Sequence, residues 1–417
     1  MNIAMLSYHT CPLAVLGGKN TGGMNVYVRE LTRFLGRVGV HVDVFTRSEN
    51  EHIPQVSHDL GYFNRVVHIP AGPEYSLQKS QLIDYTDEFA QGILDFAQRK
   101  GIQYDLVHTH YWLSGIAGKT LKDTWGVPML QMFHTLGLMK QSVGRTMEER
   151  EGAYRVEGER EVMDTADRII AATEAERDQL AELYDLSPQK VTIIPPGVDV
   201  YHFYPIPKDE AKEAIGISPN ERMALFVGRI EPLKGVDTLL EAMAIVKKRC
   251  VAFTCPHYLV IIGGDPGEEL AETSNEMARL QGLCRDLGLD EMVLFLGKRG
   301  QDTLPYYYSA AEVVVMPSFY ESFGMVALEA MACGTPVIAS KVGGLAHLIK
   351  DGETGFFVPA QDAEVLAEKL RLIFVERVMR DRLGKQASAY AKGFQWENIT
   401  QQIVQVYGEM TQAQQMS

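Results

Sequence analysis

Short apolar runs alternate with longer stretches of helical period, and the series runs through once and then begins again. In the first half the runs fall at residues 3–7, 42–45, 66–69, 106–108, 129–133, 169–172 and 191–194. Helical patterns lie between most of them. Met24, Tyr27, Val28, Leu31, Phe34, Leu35 and Val38 share one face of the first, with Arg29, Glu30, Arg33 and Arg37 expected mostly outside. Continuous apolar runs separated by helices read as parallel strands buried on both faces, hence a doubly wound sheet. Pro195-Pro196-Gly197 then interrupts the chain, and a proline-containing stretch follows to about Pro219. The second series has runs at 224–227, 259–262, 293–296, 313–316, 337–339 and 356–358.

The expectation is therefore an α/β protein of two Rossmann-like domains, residues 1–200 and 201–395, with a hinge near 198–220. A chain of 417 residues is too long for one ordinary core and suits two domains of this size. The tail 412–416 is polar and reads as frayed.

The formal net charge is −14, which argues against a nucleic-acid or anionic-membrane partner. It leaves room for a local basic pocket. Met1 leads directly into an apolar strand without a basic leader, no run is long enough to span a bilayer, and five scattered cysteines form no metal spacing or disulfide framework. These features fit a cytoplasmic protein. Cys333, in Met331-Ala332-Cys333-Gly334, reads as a small buried residue.

In open α/β sheets ligands bind beyond the carboxyl ends of strands, so residues just after strands carry the interest. Gly17-Gly18 and Gly22-Gly23 flank the loop between the first strand and the first helix. Glycines admit a phosphate close to backbone amides, and a helix N-terminus adds positive potential, although a tight turn explains the pattern equally well. Arg229 and Lys234 follow the first strand of the second series, where two cations suit a departing diphosphate or, alternatively, solvated charge. Glu321 and Glu329 lie in Pro317-Ser318-Phe319-Tyr320-Glu321-Ser322-Phe323-Gly324-Met325-Val326-Ala327-Leu328-Glu329. Pro317 and Ser318 end a strand and Gly324 opens a helix. Each carboxylate can accept from sugar hydroxyls, and the amides near Gly324 and Met325 can hold phosphate oxygens. His134 follows the run 129–133 and either packs or touches a cleft ligand. No Asp-x-Asp metal motif stands near a strand end, so no metal or other cofactor is expected.

Together these segments resemble glycosyltransferase family 4, of the two-domain fold called GT-B. Gly22-Gly23-Met24-Asn25-Val26-Tyr27-Val28, Gly228-Arg229 through Lys234-Gly235, Glu321 through Glu329 and Gly334-Thr335-Pro336-Val337-Ile338-Ala339 stand in the family's order. The resemblance spans nearly the whole chain. It implies a nucleotide-sugar donor, retention at the anomeric carbon by front-face substitution, and a last helix, about 396–417, that crosses back to the N-terminal domain. Phe394-Gln395-Trp396 with Ile399, Ile403 and Tyr407 looks like that helix.

Residue by residue, the resemblance implies that Gly22, Gly23, Arg229 and Lys234 meet the diphosphate, with Gly324, Met325 and Val326 nearby. It implies Glu321 on the donor sugar, Glu329 on the ribose, Arg299 in the base-recognition loop, and His134 near the reacting carbon. The Gly-Gly-Met-Asn-Val-Tyr-Val string, with Asn25 in it, is similar to inositol-phosphate glycosyltransferases of mycothiol synthesis. His134-Thr135-Leu136-Gly137, with Lys140 beyond, is similar to sucrose-phosphate synthases. Both groups bind an acceptor phosphate with residues matching Lys79, Tyr111, Thr135 and Arg155. The resulting expectation is transfer of glucose from UDP-glucose to fructose 6-phosphate. The alternatives are transfer of N-acetylglucosamine from its UDP donor to 1D-myo-inositol 3-phosphate, a non-catalytic sugar-nucleotide sensor, or a sugar-nucleotide epimerase on the same architecture.

Overall fold

A computed structural model describes residues 1–14, 21–61, 63–144, 150, 152–249, 257–264 and 273–415. Gly17, Gly18, Cys250, Cys255 and Met416 lie outside the described residues. The first series of runs forms β1 (Asn2–Leu6), β2 (His41–Arg47), β3 (Val56–Ser57), β4 (Arg65–Ile69), β5 (Leu106–His110), β6 (Met129–Met132), β7 (Arg168–Ala171) and β8 (Val191–Ile193). These build one sheet in the order β3-β4-β2-β1-β5-β6-β7-β8, parallel except where the two-residue β3 runs antiparallel to β4. The second series forms β9 (Arg222–Val227), β10 (His257–Ile262), β11 (Val293–Gly297), β12 (Val313–Met316), β13 (Val337–Ser340) and β14 (Gly355–Val358), in the order β11-β10-β9-β12-β13-β14.

Each sheet winds outward from its first strand, then returns and winds the other way. The reversal falls between β1 and β5 in one sheet and between β9 and β12 in the other. At such a switch point the connecting segments part and leave a crevice beyond the strand ends. Helices cover both faces, which is why β12, Val-Val-Val-Met, is buried along its whole length.

The first helix, Gly23–Arg37, buries Tyr27, Val28, Leu31, Phe34 and Leu35 as its period requires. Two expectations for it fail. Val38 lies beyond the helix end and is 54% exposed. Glu30 is buried, because Arg29 and Arg33 both reach its carboxylate, at 3.0 and 2.9 Å, and neutralise it there.

The last helix, Trp396–Gln415, lies against that first helix. Trp396, Ile399, Ile403, Val406, Tyr407 and Met410 form its buried stripe. Trp396 meets Tyr27 edge-on at 5.4 Å and stacks on Phe34 at 6.4 Å, while the Tyr407 hydroxyl lies 2.8 Å from His108 Nδ1. The chain thus passes between the sheets twice, and the two passages run side by side: Val198 pairs with Gln395, its amide donating to Phe394 O at 2.8 Å. Gly197 has no room for a side chain, since a Cβ would stand 2.5 Å from the Trp396 ring.

The stretch 198–220 is not a linker throughout. Lys208–Ala214 is a helix whose buried Lys212 pairs with Glu312 at 3.1 Å, tying it to the second sheet.

Candidate functional site

The carboxyl ends of the two sheets face each other across a cleft of about 300 Å³. On the first lobe its wall begins where β1 gives way to the Gly22–Gly23 corner. Gly22 precedes the first helical residue, and its amide donates to Asn25 Oδ1 at 2.9 Å. The Asn25 amide group donates in turn to Thr10 Oγ1 and Cys11 O, at 2.7 and 2.8 Å. Asn25 touches the cleft, but it is 1% exposed and both its donors are engaged. It fixes the corner from within the cleft wall, at the place where the family resemblance puts an acceptor contact.

The corner approaches the second lobe closely. A Cβ built on Gly22 would stand 3.5 Å from Arg229 Nε, and one on Gly23 3.5 Å from Met325 Cγ. Two helix N-termini, those of Gly23–Arg37 and Met325–Ala332, therefore open onto the same space, with Arg229 beside them. Unpaired first-turn amides and the helix dipole make each an anion-attracting end. Gly324 and Val326 line this part of the cleft with Met325.

Arg229 follows β9, and Lys234 ends the short turn Pro232–Lys234. Both line the cleft. Lys234 Nζ lies 2.6 Å from Glu321 Oε2, and Arg229 pairs with Glu231 at 2.7 Å. Arg299 also lines the cleft, its guanidinium reaching the Tyr307 hydroxyl at 3.3 Å. Glu329, on the second turn of its helix, is 5% exposed and accepts from the Tyr308 hydroxyl at 2.7 Å. Burial pushes its carboxyl up to about 7.

On the first lobe His134 follows β6 in the left-handed region, φ 63°, and its Nε2 meets His110 Nδ1 at 2.9 Å. Burial drives the His134 imidazole down to about 3, so the ring is neutral at physiological pH. Lys79, Tyr111, Thr135 and Lys140 line the adjoining wall. Two cations approach the Tyr111 ring, with Lys79 Nζ 5.4 Å from its centroid and the Arg155 guanidinium 5.0 Å away.

Arg155 does not line the cleft. It is wholly buried behind it, paired with Glu159 at 2.9 Å and donating to both oxygens of Thr135, at 2.8 and 2.9 Å. Glu159 accepts the Gly137 amide as well. This ion pair holds the 135–137 loop in place, so Arg155 bears on the site through Thr135.

Sequence reasoning missed Glu176, Tyr320, Ser318, Tyr27 and His9 on the cleft wall. For Glu176 a signal existed. Thr173-x-x-Glu176 is a helix-start pattern directly after a strand, and Thr173 Oγ1 does accept the Glu176 amide. Burial raises the Glu176 carboxyl to about 7.

Comparison with known proteins agrees with this geometry. Residues 21–202 match the family described as Glycosyltransferase Family 4, and residues 207–390 match Glycosyl transferases group 1. A D-inositol 3-phosphate glycosyltransferase of Actinosynnema mirum is 39% identical over 408 residues, covering 98% of this chain and 97% of that protein. The protein of the same name from Kribbella flavida is 38% identical, with 98% and 96% covered. Among solved structures, sucrose-phosphate synthase of Thermosynechococcus elongatus superposes with a TM-score of 0.90 at 34% identity, covering 99% of each chain. HepE of Anabaena, in complex with UDP and glucose, shares the fold at a TM-score of 0.75 and 21% identity, over 98% of this chain and all of that one. The chain accordingly belongs to glycosyltransferase family 4, a GT-B enzyme of two Rossmann-like domains that draws on a sugar-nucleotide donor.

Proposed function

We propose that the protein transfers a hexosyl group, with retention, from a UDP-sugar to a phosphorylated, hexose-sized polyol, with 1D-myo-inositol 3-phosphate as the leading acceptor. One observation carries this reading: the cleft has cationic ground on both walls. Arg229 and Lys234 on the second lobe, with the helix ends at Gly23 and Met325 facing each other from the two lobes, suffice for a diphosphate; on the first lobe Lys79 and Lys140, beside Tyr111 and Thr135, offer a second place for a phosphate. A donor alone needs only the first. The full-length relatives named for inositol 3-phosphate favour that acceptor. The likeness to sucrose-phosphate synthase supports fructose 6-phosphate as the second reading.

In the reaction the bond from the anomeric carbon to the diphosphate breaks as the acceptor oxygen attacks on the same face. The leaving phosphate takes the acceptor's proton. Arg229 and Lys234 neutralise the charge that grows there, and in a water-poor cleft fixed cations lower the barrier most. Glu321, held by Lys234, offers its carboxylate to the sugar hydroxyls. Neutral His134 contributes a ring nitrogen without placing a positive charge beside the reacting carbon.

The test is incubation with UDP-glucose or UDP-N-acetylglucosamine against inositol 3-phosphate, fructose 6-phosphate and their unphosphorylated forms, with products read by mass and anomeric configuration by NMR. A retained glycoside of inositol 3-phosphate is expected, in the presence of EDTA. A sucrose phosphate selects the second reading. Transfer to unphosphorylated acceptors alone rejects the phosphate wall, and donor binding without any turnover returns a sensor. Lys79→Ala should raise the acceptor KM about tenfold or more while the donor Kd holds.

A further inference from the structure

Beside Glu321 and Glu329, whose bonds among the described residues likewise engage one oxygen each, the cleft holds a further carboxyl with an oxygen to spare. Glu176 is 5% exposed and follows β7, in the first turn of the helix Glu174–Tyr184. Its Oε2 accepts the Ala172 amide at 2.7 Å. Its Oε1 has no hydrogen-bond partner among the described residues, on a side chain that lines the cleft. From the other lobe Tyr320, 8% exposed, lines the same cleft, and its hydroxyl bonds to no described residue. The two also flank one small recess with Thr173, Gln179, Ser322 and Gly344, so they are neighbours across the lobes. The negative charge of Glu176 helps to hold the Tyr320 phenol protonated, after burial itself. Two more cleft-wall hydroxyls, of Tyr27 and Ser318, are buried without a partner among the described residues.

Buried polar groups are ordinarily paired, and a cleft wall with several unpaired ones has the partners of a ligand built into it. The chemistry narrows what that ligand group is. A carboxyl oxygen repels phosphate, and burial makes the site poor for a cation. A sugar hydroxyl both donates to a carboxyl oxygen and accepts from a phenol. Ser318 and Tyr320 flank Phe319 at the end of β12, and the next residue is Glu321, so the site adjoins the sugar end of the cleft and not the base end.

We propose that Glu176 and Tyr320 together grip one ring hydroxyl of a sugar bound in the cleft, Glu176 accepting and Tyr320 donating, and so select for a hydroxyl at that position. This rests on the reading of both substrates as sugars. The hydroxyl belongs either to the transferred sugar or to the acceptor ring, and because the two residues come from opposite lobes it also ties the lobes together.

Glu176→Gln is the informative variant. Its remaining oxygen can keep the Ala172 amide, while an NH2 that cannot accept turns to the cleft; melting temperature checks the fold. Titration calorimetry with UDP and with UDP-glucose, and the acceptor KM with whichever phosphosugar turns over, separate the two sources. A fall of about ten- to a hundredfold in UDP-glucose affinity with UDP unchanged assigns the transferred sugar. A similar rise in acceptor KM at constant donor affinity assigns the acceptor. Tyr320→Phe should move the same constant in the same direction. Unchanged constants overturn the proposal, as does an equal loss of affinity for UDP itself. Should no phosphosugar be glycosylated, the acceptor reading falls by itself, and the ratio of UDP-glucose to UDP affinity then decides on Glu176: a fall supports the grip, an unchanged ratio overturns it.

Discussion

Lys234 reaches Glu321 at 2.6 Å in a part-buried setting. The pair keeps the lysine from drifting into solvent and turns the carboxylate toward the cleft. Lys234→Ala should lower kcat by about 10²–10³-fold, the range seen when a fixed donor to developing charge is removed, as steady-state rates will show. Glu176 and Glu329 make a second prediction. Burial lifts each folded carboxyl from 4.5 to about 7, so between those values the folded state binds more protons than the unfolded chain. Stability therefore falls as pH rises from about 4.5 to about 7, and Glu329→Gln should flatten part of that slope in thermal melts across this range. The cations and Glu321 were legible because each follows a strand. Glu176 was legible only in part: Thr173-x-x-Glu176 marks a helix start after a strand, but among Glu174, Glu176 and Glu182 tertiary packing decides which acid faces the cleft. For Arg155 a sequence match gave a position but not the layer in which the side chain ends, which is behind Thr135 and against the Tyr111 ring.

At the scale of elements, the apolar period marked thirteen strands and the last helix, because a parallel strand buried on both faces needs an unbroken apolar run. The two-residue β3 has too little pattern to detect, and the helix Lys208–Ala214 hid behind Pro205 and Pro207, which mark a break but also suit a helix start. The last helix acts as a strap on the first lobe. Trp396→Ala should destabilise the protein by about 3–5 kcal/mol in chemical denaturation, the usual range for emptying so large a buried site. The turn carrying Lys234 depends on Gly235, whose φ of 66° is left-handed and whose Cβ would stand 2.2 Å from Pro317 O. Gly235→Ala must displace this turn from the end of β12, so activity should fall more than stability when rates and melts are compared.

Over the whole molecule a net charge of −14 coexists with a cleft that gathers Arg229, Lys234, Lys79 and Lys140 beside Glu176, Glu231, Glu321 and Glu329, so the anion ground is local and interleaved with acids. A ligand spanning both walls should stabilise the fold as a unit. UDP at a hundredfold excess over its Kd should add about 2.7 kcal/mol, visible as a rise in melting temperature. The side-by-side passage of the backbone at Val198 and Gln395 has a mechanical consequence. Two adjacent cords joined by a hydrogen bond bend together about their common line but resist sliding and twisting, so they serve as an axle. The lobes can swing like the covers of a book, with travel growing with distance from the spine. A turn about that line would bring the Gly22 corner and Arg229, already close neighbours, together face to face rather than grinding past one another.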